Sequence, residues 1–185
     1  MSRILPLDEL NVIKGKYERS GKAQTPITDF DLEDIIDELL DLFLLAVANG
    51  VASINSQFGT DYAPSAGQLE EVIYKKIDGV TWKDRIETWY KEGGTSADIV
   101  RIAETESHRI GNEIAFEAAK AVGATRKTWV TMLDNRVRDT HEFLENVSVG
   151  LNDEFYSFDG DHAPYPGAFG NAANNVNCRC EIKYS

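Results

Sequence analysis

The stretch TSADIVRIAETESHRIGNEIAFEAAKAVG, residues 95–123, carries the longest helical pattern of the chain. Thr95 and Asp98 form a capping pair, Gly123 is a stop, and Ile99, Ile102, Ile110, Ile114 and Ala118 recur at helical spacing. This predicts one helix over about 95–122, about 40 Å long at 1.5 Å per residue. Alanines at 103, 115, 118, 119 and 121 would let a neighbour approach closely. Glu106 falls on the same apolar stripe, where a carboxylate is costly unless an arginine or several donors satisfy it. Thr105-Glu106-x-x-Arg109-x-x-Asn112 is therefore the first constellation of interest. It reads either as an ion pair anchoring the helix to the C-terminal unit, with Arg136, Arg138 or Arg179 as partner, or as a general base. No nucleophile accompanies it, so the structural reading is preferred.

Upstream, the helical grammar continues. Thr28 and Asp31 suggest the cap of a helix with Leu32, Ile35, Ile36, Leu39, Phe43, Val47, Val51 and Ile54 on one face. Its segment Asp29–Asp41 holds seven acidic residues and no basic one, which suits a basic partner surface. A second helix is expected from Ser65, paired with Gln68, to Asp78-Gly79, and a third from Thr81, paired with Asp84, to Gly93-Gly94. Residues 1–28 show no sustained period and are expected to form an arm with at most one helical turn.

Downstream, short β-rich runs appear at 127–134 and 154–158, with a brief helix from Asp139 through Glu145. Residues 159–177 are rich in Gly, Pro and Asn and read as a long loop before a terminal strand, CRCEIKY. The second constellation is Trp129-x-x-x-x-Asp134-x-Arg136-x-Arg138-x-x-His141, a charged turn network or an acid–base or phosphate site. The third is Asn177-Cys178-Arg179-Cys180. Thiols two apart on a strand sit roughly 6.5 Å apart and project in parallel, a poor disulfide framework. Packed, reduced thiols are expected and no cofactor is assigned. The competing reading is zinc held by Cys178 and Cys180 with His141 or His162.

The 185 residues have a net charge of −12, 42% hydrophobic and 27% charged residues, which fits a globular domain and disfavours nonspecific nucleic-acid binding. The most apolar run, Leu39 to Ala48, contains Asp41 and is too short to cross a bilayer, and the N-terminus lacks a secretory layout. A soluble, non-secreted protein is expected. No GxxxxGK[ST], HExxH or GxSxG occurs.

Taken in order, RIAETESHRIGN (101–112), the Trp129–His141 run, Pro166-Gly167 and NCRC (177–180) resemble the phage Mu F-like minor head protein family over roughly 95–182, and more loosely at TWKDRIETWYK (81–91). Many relatives carry Cys-x-x-Cys where Arg138 and His141 stand here, and His-Pro where Asn175 and Val176 stand. The resemblance implies a virion protein of the phage head, made in the host cytoplasm and associated with the portal protein, the major capsid protein and the capsid interior. It would act in head assembly and in DNA packaging or ejection, without catalysis. Two alternatives are weighed: a nuclease-like or transferase unit using Arg136, His141 and Glu142, and a weak DNA-binding adaptor at the portal using Arg126, Lys127, Arg136 and Arg138. The expected architecture is α+β and predominantly helical. An arm (1–28) and a helical partner-binding region (29–94) precede a Mu F-like domain (95–185), whose long helix packs on a small α+β unit with short strands.

Overall fold

Two long helices, α2 (Leu32–Phe58) and α5 (Ser96–Ala121), pack together as the frame of the chain. The computed structural model describes residues 4–18 and 25–185. α2 starts where the Asp31 carboxylate accepts from the backbone N–H groups of Glu33 (2.9 Å) and Asp34 (3.1 Å). The cap expected at Thr28 therefore lies three residues too early. Thr28 belongs to a 3-10 turn, Ile27–Asp29, held against the start of α5 by Ile27 N–H donating to the Gly94 carbonyl (2.8 Å). The buried face of α2 includes Ile35, Leu39, Phe43, Val47 and Ile54 as expected, with Leu42 and Ala46 added, while Leu32, Ile36 and Val51 are half-buried. α5 begins as expected, with Thr95 N–H on the Asp98 carboxylate at 2.8 Å.

The helices approach most closely at glycine. A Cβ on Gly50 would lie 2.6 Å from the Gly111 carbonyl oxygen and 2.7 Å from Ile114 Cγ2. Ala103, Ala115, Ala118 and Ala119 are fully buried along the same helix, whereas Ala121 is exposed.

The shorter helices close around this pair. α3 (Ala66–Ile73) and α4 (Trp82–Glu92) open on the Ser65–Gln68 and Thr81–Asp84 capping boxes. α3 stops before Asp78, because residues 77–80 turn back on themselves through the Ile77–Val80 bridge. α1 (Leu7–Tyr17) corrects the expectation of at most one helical turn near the N-terminus. Leu10, Ile13 and Tyr17, at i, i+3 and i+7, are buried, and Tyr17 donates to Glu38 on α2 at 2.9 Å. Lys14 pairs with Glu104 of α5 and Lys16 with Glu38. Three apolar positions in a short polar segment are a weak periodic signal; docking against α2 and α5 supplies the stability that local propensity does not.

The C-terminal unit is built on β1 (Arg126–Val130), the centre of an antiparallel sheet between β2 (Ser148–Gly150) and β5 (Glu181–Tyr184). Lys127 faces Val149 and Tyr184, and Trp129 faces Ile182. α6 is Asp139–Glu142, and β3 (Phe155–Tyr156) pairs with β4 (His162–Ala163). The region expected as one long loop thus contains β4 and a four-residue helix, α7 (Ala172–Asn175). β2 carries no pattern that three residues could display. The architecture is α+β and mostly helical, with two apolar clusters that α5 joins: Ile99 to Ile114 serve the helical body, and Ala115 to Ala119 serve the sheet unit. Among the described residues no helix is long and apolar enough to cross a membrane.

The crossing gives a direct test. Gly50→Ala should destabilise the fold by about 1–3 kcal/mol, because neither the Gly111 backbone nor Ile114 can retreat cheaply. Gly67→Ala on α3, whose Cβ would meet nothing within 4 Å, should leave stability equal or raise it by up to about 1 kcal/mol. Urea denaturation of both variants measures the difference.

Candidate functional site

From Glu106 to Phe116 every residue of α5 is buried, polar ones included. A helix covered on all sides must find partners for those groups. Arg109 is 3% exposed, and its guanidinium donates to Glu106 (2.7 Å), to Glu113 (2.8 Å) and to the Val72 carbonyl at the end of α3 (3.0 Å). Arg85 of α4 reaches Glu106 at 3.4 Å, and Lys75 reaches Glu113 at 2.6 Å. These charges border a cavity of about 380 Å³ that is also lined by Tyr165, Phe169 and Val176. Gly167 covers Arg109 with a positive φ of 91°, and a Cβ there would sit 3.0 Å from Arg109 Cα. The Pro166-Gly167 signature is thus a lid on the buried arginine.

Glu106 is buried and paired, as its place on the stripe demands, but its partners are Arg109 and Arg85 rather than Arg136, Arg138 or Arg179. The reason is reach: an arginine three residues along the same helix lies beside it. The C-terminal strand is held to α5 by a different contact. His108 Nε2 donates to the Cys180 carbonyl at 2.6 Å, and its Nδ1 has no hydrogen-bond partner. Asn112 Nδ2 donates to the His108 carbonyl at 3.0 Å and lies 3.5 Å from the same Cys180 oxygen. Sequence distance hid this role of His108. Thr105, the first residue of the constellation, borders the cavity, and its hydroxyl lacks a partner.

The second and third constellations meet in space. Asp134 accepts a two-pronged bond from Arg179, at 2.7 and 2.8 Å, which holds its carboxyl down at about 2. Arg138 donates to the carbonyls of Val176 (2.5 Å) and Ala173, bracketing α7. Arg136 is exposed, with its backbone N–H on Asp134 at 3.0 Å. Trp129 is fully buried, edge-on to His141 and Phe155, and His141 stacks on Phe169. His141 Nδ1 lies 3.7 Å from both Cys178 Sγ and Cys180 Sγ, and its Nε2 has no hydrogen-bond partner. Asn177, at a φ of 57°, turns the chain into the cysteines, so that the two sulfurs and the imidazole nitrogen lie within 4.8 Å of one another. A hydrogen bond from Cys180 holds the Cys178 thiol well below the usual range; that bond and burial push Cys180 up. His162 lies elsewhere, exposed on β4 and paired with Glu154 at 2.6 Å.

The residues named for the two alternative uses are divided between the interior and the surface. His141 is 1% exposed beneath aromatic rings, whereas Glu142 and Arg136 are exposed. Of the four cations proposed for DNA, Lys127 is fully buried and Arg138 is engaged by carbonyls. Alternation along β1 aims Lys127 inward, 4.8 Å from the Phe116 ring and 5.4 Å from Phe155, with no hydrogen-bond partner for Nζ. Burial pushes its pKa down to about 8.

The family profile described as "Phage Mu protein F like protein" matches residues 62–183. The chain is similar to minor head protein GP7 of Bacillus phage SPP1, 32% identical over 171 residues, covering 88% of this chain and 47% of that protein. It is also similar to the NAD(+)–arginine ADP-ribosyltransferase EFV of Enterococcus faecalis, 32% identical over 140 residues, covering 64% of this chain and 28% of that protein. The chain thus spans less than half the length of either relative. No solved structure matches.

The buried charges set two stability measurements. Arg109→Ala should cost about 3–5 kcal/mol and Glu106→Gln about 1–3 kcal/mol in urea unfolding, whereas Arg179→Ala at the exposed Asp134 pair should stay close to wild type. Lys127 titrates at about 8 when folded against an ordinary 10.5. Between those values the unfolded chain holds the proton that the folded chain has lost, so this residue's contribution to stability rises with pH across that window. Below it the folded state carries the cost of a buried ammonium. Lys127→Met should therefore unfold at a higher temperature than wild type at pH 7, with the gap narrowing toward pH 10.

Proposed function

Because this chain belongs to the phage Mu protein F-like family, we propose that it is a structural protein of a phage head and not an enzyme. The family match over residues 62–183 carries this reading: it takes in all of α3, α4 and α5, and the Cys-bearing unit into β5. The similarity to a phage minor head protein over 171 residues extends the support into α2. The residues with chemical potential are spent on internal pairing. Glu106 and Arg109 neutralise each other, Asp134 holds Arg179, and His141 is sealed under Trp129 and Phe169. The match to an ADP-ribosyltransferase covers 28% of that protein.

In finer terms, the protein is assembled in the host cytoplasm, enters the virion, and contacts the portal protein and the major capsid protein at the capsid interior, where it serves head assembly and DNA packaging or ejection. Residues 95–185 act as the shared Mu F-like unit and 29–94 as the partner-binding region. The acidic side of α2 supports that division: Asp31, Glu33, Asp34, Asp37 and Asp41 are exposed while the opposite face is buried. A uniform negative stripe on a rigid helix favours a basic docking patch and gives salt-dependent association.

Mass spectrometry of purified virions tests the head role: the protein should be present, and its absence from virions and from assembling heads alike would refute it. Truncation is a poor test of the docking face, because α1 and α2 contribute to the core. Replacing Glu33, Asp34, Asp37 and Asp41 by Asn or Gln should weaken capture by the portal protein and flatten its salt dependence while preserving the melting temperature. Unchanged capture would move the docking face elsewhere.

A further inference from the structure

We propose that His141, Cys178 and Cys180 form a zinc site that staples α6 to the C-terminal strand. Spacing alone offers two thiols; the fold supplies the third ligand from 37 residues upstream of Cys178. His141 Nδ1 is 3.7 Å from each sulfur. A tetrahedral zinc with Zn–S of about 2.3 Å and Zn–N of about 2.0–2.1 Å has S···N edges of about 3.6 Å and S···S edges of about 3.8 Å. The observed S···N separations fit those edges, and all three donor atoms lie within 4.8 Å of one another. S–H···N contacts of this length are weak, so the imidazole nitrogen gains little from the two thiols.

The surroundings suit a structural ion. Trp129 and Phe169 wall the imidazole from solvent, and their packing fixes the ring with Nδ1 toward the sulfurs. Asn177 in its left-handed conformation sets both thiols on one side of the chain. His108 and Asn112 fix the Cys180 backbone from α5 through its carbonyl. Two thiolates and one neutral imidazole give the soft, partly anionic donor set that zinc prefers over magnesium or calcium. On binding, both thiols release their protons to solvent, and the net charge of the metal and its ligands is zero. Three protein ligands leave the fourth tetrahedral position to an exogenous ligand such as water.

The test uses the full chain under reducing conditions with the metal alone. Dialysis against zinc, then metal analysis, should give one ion per chain, and cobalt(II) should produce the intense visible and near-ultraviolet bands of tetrahedral thiolate coordination. Chelation should lower the melting temperature and zinc should restore it. Cys178→Ser, Cys180→Ser and His141→Ala should each lose the cobalt thiolate spectrum or weaken binding at least tenfold. The wild-type measurements stand by themselves even where a variant folds poorly. A wild-type chain that binds no stoichiometric zinc, or binds it with a cobalt spectrum lacking thiolate bands, overturns the proposal. So does tight binding that survives loss of both cysteines.

Discussion

The buried Arg109 guanidinium is the constraint around which this molecule is arranged. An arginine inside a protein is always charged, so its site must supply opposite charge and acceptors in a fixed plane. Glu106 and Glu113, one turn either side, provide the charge, and the Val72 carbonyl of α3 provides a further acceptor. Two carboxylates around one cation leave a surplus of negative charge, which Arg85 and Lys75 answer from outside. One side chain on α5 thus sets the positions of α3, α4 and the turn between them. The loop over it can only be glycine at position 167.

Such a network is not the most stable way to fill a core. Buried ion pairs recover their desolvation cost only when geometry is good, and an apolar replacement of equal shape often does as well. What a network supplies is a demand for one arrangement: Arg109 is satisfied only when α3 ends at the right height and the 165–170 loop closes above it. On the other flank of α5, His108 and Asn112 address the Cys180 backbone in the same way. The helix therefore specifies both neighbours by polar contacts and fills the space between them with Ile and Ala.

The elements with long periods and capping pairs were legible from sequence. The Ser65–Gln68, Thr81–Asp84 and Thr95–Asp98 pairs all occur, because each is a local chemical event within four residues. Thr28 failed as a cap since Asp31 sits nearer the start of the apolar period and competes for the same N–H groups. α1 and β2 were not legible: an eleven-residue helix with three anchors and a three-residue strand derive their stability from what they touch. The site divides along the same line. Burial of Glu106 followed from its stripe, but the choice among the chain's arginines depended on three-dimensional reach. The meeting of His141 with Cys178 and Cys180, and of His108 with the Cys180 carbonyl, depended on the path of a loop with no period to read.

The two halves of the molecule differ in how they respond to change at their surfaces. The helical body closes on a broad apolar cluster, so substitutions on the outer side of α2 leave its packing intact. The sheet unit has short strands, and between them its chain is held by single contacts: the two carbonyls on Arg138 and the convergence at His141. Small units with little core need such staples. That contrast argues for variation in the body and economy in the unit, since the exposed charges of α2 can be changed one at a time. The segment around Cys178 and Cys180 is tied to α5 through the Cys180 backbone carbonyl, so His108 and Asn112 are the side chains on which that attachment depends.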